Sequence, residues 1–269
     1  MDSPEAQIEA LLQKSSTAPV KVFTLGRFGL LRDHLPVPDK AWGRDKTLQL
    51  FQFLVAARRR HALRKEQITD RLWEDDSDSA DATFKVALHG VNKVLEPDRK
   101  NLAPPRFIIR QGLTYRLDTT AVWIDADIME SFIIIGNQHL TSHPETARRA
   151  YREAIALHQG VFLPDRIYED WSCEERERLQ VLALGAITTL AELELPDSPL
   201  ESIRLAREAL LIDTVWEDAW RIQIQAYIRK GNRPQALKTW QQCVKALHET
   251  LGIAPLPETK RVIQQLLDQ

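Results

Sequence analysis

The sequence predicts two folds in one chain. Residues 20–118 read as an α+β winged helix-turn-helix, and residues 119–269 as an all-α, tetratricopeptide-like helical repeat domain. Three observations predict them. Between residues 46 and 117, three helix-period segments lead into a short two-strand pattern with a glycine turn, which is the order of a winged helix. After Trp123-Ile124-Asp125 the hydrophobic period becomes helical almost throughout. Within that region residues recur at an offset of 34: Ser202, Ile203, Ala206, Ala209 and Leu210 match Ala236, Leu237, Trp240, Cys243 and Val244. Small residues at such positions let helix pairs stack closely, and this is the tetratricopeptide period.

Residues 1–19 form an N-terminal extension. In it Glu5–Lys14 carries Ile8, Leu11 and Leu12 on one side, a short amphipathic helix that packs on a partner or frays. Val20–Leu25 and Phe28–Arg32 alternate as strands around Gly26, and Pro36 and Pro38 then break regularity. Gly26 and Gly29 make no phosphate loop, because the GK[ST] ending is missing and a strand follows.

Lys46–Ala57 places Leu48, Phe51, Leu54 and Val55 on one helical face. The basic run Arg58-Arg59-Arg60-His61 after it reads as a solvated helix end whose cations suit the negative end of the dipole. Lys65–Trp73 has Ile68, Leu72 and Trp73 at helical spacing. The acidic stretch Glu74–Asp81 reads as a loop, with Asp78, Ser79 or Asp81 available to cap the next helix.

That helix, Ala80–Leu95, buries Phe84, Leu88, Val91 and Leu95 on one stripe. Its other side carries Ala82, Thr83, Val86, His89, Gly90 and Lys93. Small residues, one β-branched apolar residue and a few donors are what a major groove admits. Thr83 or Val86 can touch a thymine methyl, while His89 and Lys93 can donate to base edges or phosphates. Lys46 joins them as a candidate DNA-binding residue. Phe107–Arg110 and Thr114–Leu117 then form a hairpin around Gln111-Gly112-Leu113. Further on, Glu145–Leu157, Asp170–Leu193, Leu200–Leu211, Trp216–Lys230 and Pro234–His248 show apolar stripes, punctuated by Pro164, Pro196, Gly231 and Pro234.

The net charge of −2 hides a segregation. Residues 20–118 hold 19 Lys+Arg against 13 Asp+Glu, and residues 119–269 hold 16 against 22. A basic first domain on an acidic second one fits a phosphate-facing module joined to a protein-facing module. An apolar fraction of 43% and a charged fraction of 28% are those of a soluble globular protein. No apolar run approaches the roughly 20 residues of a membrane span, and Met1–Lys14 is not built like a secretory signal, so a cytoplasmic protein without a membrane partner is expected. Cys173 and Cys243 read as buried free thiols of a reducing compartment.

No H-E-x-x-H, Walker loop, G-x-S-x-G or Cys/His cluster is present, and the seven histidines are scattered. Asp125 and Asp127, just after a strand, read as a domain-entry turn rather than a metal or acid pair. No enzyme, metal or cofactor is expected.

Five short segments carry a family resemblance. They are Phe23-Thr24-Leu25-Gly26-Arg27-Phe28; Leu72-Trp73-Glu74-Asp75; Gly112 with Tyr115-Arg116-Leu117; Gly231-Asn232-Arg233-Pro234-Gln235-Ala236-Leu237; and Leu251-Gly252-Ile253-Ala254-Pro255-Leu256-Pro257-Glu258. In this order and spacing, over about residues 20–267, the chain resembles the SARP-type transcriptional regulators: an OmpR-type winged helix followed by the bacterial transcriptional activator domain. The resemblance implies a bacterial activator that binds double-stranded DNA at direct repeats, as a homodimer, and recruits RNA polymerase. It implies Arg110 as the residue of the first wing strand that enters a minor groove or meets a phosphate, and Glu74, Asp75 and Asp76 as polymerase-contact candidates. Where the family commonly carries an arginine-rich R-L-R stretch, this chain has Gly90-Val91-Asn92. The missing guanidiniums keep an alternative open: a protein-binding adaptor that uses the helical groove while the winged helix is degenerate. The sequence names no effector, protein or small molecule.

Overall fold

The structure, a computed structural model, describes residues 3–73, 79–100 and 103–267. Helix α1 (Pro4–Thr17) starts the chain, capped by Ser3, whose Oγ accepts from the Ala6 N–H at 3.2 Å. It packs within the chain. Ile8 is fully buried, and α1 packs on α5 (Asp125–His139) and α6 (Pro144–Leu157). Arg149 of α6 holds Glu5 at 2.7 Å and Glu9 at 2.6 Å, and Thr146 donates to Glu5.

Strands β1 (Val20–Phe23) and β2 (Gly29–Arg32) pair antiparallel, with β3 (Leu35–Pro36) outside β2. Pro36 therefore ends a short edge strand instead of breaking regularity. This is a place where proline costs the ladder nothing. On the other side β7 (Trp123–Ile124) lies parallel to β1, giving a sheet of order β3-β2-β1-β7. The winged unit follows: α2 (Asp45–Ala56), α3 (Lys65–Leu72), α4 (Ala80–Leu95), and the wing strands β5 (Ile108–Gln111) and β6 (Thr114–Leu117). The wing gains a third strand, β4 (Leu63–Arg64), paired antiparallel with β6. Ser79 occupies the α4 N-cap position but makes no side-chain cap bond, Asp81 pairs with lysines, and Asp78 lies outside the described residues.

The remaining helices, α7 (Asp170–Glu194), α8 (Pro199–Ile212), α9 (Glu217–Arg229), α10 (Arg233–Leu251) and α11 (Pro257–Leu267), stack as consecutive neighbours, α11 closing on α9 and α10. The repeat positions do the stacking: Ser202, Ala206, Ala209, Ala236 and Cys243 are all fully buried. Burial pushes the Cys243 thiol up to about 12, so it is an inert packing group, whereas Cys173 is only half-buried.

The two halves are sewn together by sequence-distant contacts. Asp125, 2% exposed, accepts from the Thr24 N–H at 2.7 Å, the Thr24 hydroxyl at 2.5 Å, the Leu25 N–H at 3.0 Å and the Ala126 N–H at 2.8 Å. It is the seam between β1 and α5. Burial raises its carboxyl above the ordinary value, and the donors from Thr24, Leu25 and Ala126 oppose that rise. Next to it Gly26 has φ +81°, and a Cβ there would stand 2.4 Å from the Gln159 carbonyl oxygen. The Gly26 N–H donates to Val161 O at 2.9 Å across this close approach.

The arginine run is the main correction to the sequence reading. It is a clamp, not a solvated helix end. Arg58 is 1% exposed at its side chain and reaches Asp127 at 2.7 Å and Glu175 at 2.8 Å. Arg59 pairs with Glu130, and Arg60 with Glu174 at 2.6 Å. The helix-dipole argument sees only the local end of α2; the winning partners are 69 and more residues away. Phe53 of α2 packs edge-on against Trp171 of α7, centroids 5.6 Å apart, within a single core running from Ile8 to Ile222.

Candidate nucleic-acid interface

Helix α4 is placed by what it buries. Phe84, Val91 and Leu95 are in the core, and Leu88 is partly buried against it. Phe84 meets Tyr115 of the wing edge-on, centroids 4.9 Å apart, which fixes the helix against the hairpin. The wing turn is built on Gly112, φ +60°, with Leu113 67% exposed at its tip.

On the side away from the core, Val86 is 51% exposed, and His89 and Lys93 are exposed. Thr83 is half-buried. A cleft of about 410 Å³ separates α4 from the wing, and it is lined by Lys65, Asp81, Lys85, His89, Arg110 and Leu113 among others. Arg110 is exposed. Its Nε donates to Gly112 O at 2.9 Å and its guanidinium lies 5.7 Å from the Tyr115 ring centroid, so backbone and ring aim it. The structure thus brings His89 and Arg110 to one cleft, with Val86 and Lys93 on the exposed side of the same helix. Lys46 does not line that cleft. It is half-buried, with its ammonium 5.6 Å from the Trp73 ring centroid.

Sequence reasoning missed three charged groups here. Asp81 pairs with Lys65 and, at 2.6 Å, with Lys85 one turn along α4. The hydrogen bonds from Lys65 and Lys85 lower the Asp81 carboxyl to about 2, and the same contact raises Lys65. The four-residue spacing of Asp81 and Lys85 was the available signal for one pair; that of Lys65 with Asp81 is tertiary.

Gly90 is not on the open face. A Cβ at Gly90 would meet Thr47 Cγ2 at 2.7 Å, so the glycine lets α4 approach α2. Asn92 is buried, 6% exposed, with its Oδ1 unpaired among the described residues. Of the two positions where arginines are missing, Gly90 faces α2, and Asn92 lies buried where it lines the α4–wing cleft. Glu74, Asp75 and Asp76 lie outside the described residues. Among the described residues no group of three His, Cys, Asp or Glu side chains could hold a metal ion, and no helix is long and apolar enough to cross a membrane.

The model of the bacterial transcriptional activator domain matches residues 124–267, more than half of the chain. The chain belongs to that family. Its winged helix followed by a tetratricopeptide-like activator domain is the architecture of SARP-type transcriptional regulators. Among solved structures it is similar to Mycobacterium tuberculosis EmbR in complex with a low-affinity phosphopeptide, with TM-score 0.81 and 21% identity over 93% of this chain. That likeness shows the fold, and the chain spans 65% of the length of that structure. The TPR2AB domain of yeast Sti1 in a pHSP90 complex is far more distant: TM-score 0.27 and 14% identity, over 82% of this chain and 95% of that one. No curated protein matches.

Proposed function

We propose that this family member is a sequence-specific DNA-binding transcription activator, with α4 in the major groove and the wing on the flanking backbone or minor groove. The juxtaposition of the exposed α4 side chains with Arg110 across one cleft carries the reading. Thr83 and Val86 supply methyl contacts, His89 and Lys93 supply donors, and Arg110 meets phosphate or the minor groove. Lys46 is a peripheral phosphate contact.

The exposed cations are few, so affinity depends on salt with a shallow slope, each phosphate contact adding about 0.9 to it. An electrophoretic shift on the upstream region of the protein's own operon, repeated from low to physiological salt, tests this. Affinity that stays flat with salt, or no shift at all, sinks the reading and favours the protein-binding adaptor.

We further propose that two copies bind side by side on direct repeats, gaining avidity that offsets a small reading face. A light-scattering mass for the full chain, free and on DNA, reads this out, and a single copy on every site defeats it. Glu74, Asp75 and Asp76 are the proposed polymerase contact. Replacing all three with alanine should leave the shift intact and abolish activation in a reconstituted transcription assay.

A further inference from the structure

Helices α8, α9 and α10 line a groove of about 450 Å³, and its lining is unusual for an acidic domain. It contains Arg207 and Lys238 but no Asp or Glu. Two other arginines of this region are neutralised, while Arg229 meets only the Pro196 carbonyl among the described residues. Arg204, one turn before Arg207, is held by Glu201 at 2.7 Å and Glu208 at 2.8 Å, and Arg221 by Asp218 at 2.7 Å. Neither Arg207 nor Lys238 pairs with a carboxylate among the described residues.

Arg207 is nevertheless aimed. Its Nη2 donates to the Tyr227 hydroxyl at 2.7 Å, leaving Nε and Nη1 without an acceptor among the described residues. A fixed planar fork with free donors suits a carboxylate. Gln223, 5% exposed, also lines the groove and has an Oε1 with no partner among the described residues, a buried acceptor that a peptide N–H would satisfy. The walls add apolar surface. Trp220 is pinned by its Nε1–H to Thr214 O at 2.9 Å, and Leu211 is 88% exposed at the rim.

We propose that this groove binds an acidic peptide segment of a partner protein, its carboxylates on Arg207 and Lys238, its backbone N–H on Gln223, and an apolar side chain against Trp220 and Leu211. The site stands apart from the α4 cleft, so it holds or fails independently of DNA binding.

The test is selection of a random-peptide display library on the full-length protein. The expected outcome is enrichment of peptides rich in Asp and Glu around an apolar residue. Synthetic copies of those peptides should quench or shift tryptophan fluorescence, and the change should be lost in Trp220→Phe. Arg207→Ala or Lys238→Ala should each weaken them about tenfold, and the R207E/K238E pair should abolish binding. Arg204→Ala, which removes an ion-paired cation of the same helix, should leave binding unchanged. Lys238 is exposed, so its variants keep the question open to measurement even if Arg207→Ala loosens the fold. Failure to enrich any peptide, enrichment without acidic residues, or retention by R207E/K238E would overturn the proposal.

Discussion

Asp81 holds two ammonium groups on the surface proposed to meet phosphate, and it does so where solvent screens all three charges. Freeing Lys65 and Lys85 therefore costs the fold little and gives the duplex two more cations. Asp81→Asn should tighten DNA binding and steepen its salt dependence by as much as about 0.9 per added phosphate contact. An unchanged salt slope would mean that neither lysine reaches the backbone. Lys93→Ala and Arg110→Ala should act oppositely, weakening binding while thermal unfolding stays put, because both side chains are exposed. Phe84→Ala belongs to another class. It removes a core ring and its edge contact with Tyr115, at a cost of about 3–5 kcal/mol. If denaturant titration shows no loss, the phase assigned to α4 is wrong.

At the scale of elements, the clamp between α2 and α7 is the least expected feature. Burial alone would push the Glu175 carboxyl up; Arg178 and Arg58 outweigh that and hold it below its ordinary value. A depressed carboxylate adds stability above its unfolded-state pKa, and that stability is lost as pH falls through the lower folded value. Acidification across that window should loosen the α2–α7 contact before the distal helices melt, seen as early hydrogen exchange in α2. Unchanged exchange in α2 across that window would count against it. Arg58→Ala strands Asp127 and leaves Glu175 to Arg178 alone, and should cost about 3 kcal/mol, near the lower limit for a buried pair because Asp127 stays partly exposed.

The long elements were legible because their apolar periods are local. Phe84 to Leu95 could be phased from sequence, and α4 has the bounds read for it. The two-residue strands β3 and β4 were not legible, since no period fits in two residues and tertiary pairing alone makes them. The partners of Arg58 and the neighbours of Gly90 were hidden for the same reason. A wheel shows which way a residue points, not what stands opposite.

Over the whole molecule, charge segregation suggests two separable modules, but the packing joins them. One core includes Val22 and Phe53 of the basic half with Phe162 and Trp171 of the acidic half. The β1–β7 pairing and the Asp125 seam cross the same boundary. Cutting between residues 118 and 119 would bare Phe162 and Trp171, worth about 1.5–3 kcal/mol each, and strip Asp125 of its donors from Thr24 and Leu25. That sum is comparable with the whole stability of an ordinary domain, about 5–15 kcal/mol. The full chain should therefore melt in one calorimetric transition, and residues 119–269 alone should melt at a markedly lower temperature by circular dichroism. Two resolved transitions, or an isolated helical half as stable as the parent, would show that the seam is weak. A peptide seated between α8 and α10 touches α8 and α9, which share the core of α4 through Leu205 and Ile222, and its effect on DNA affinity can be read directly in the same shift assay.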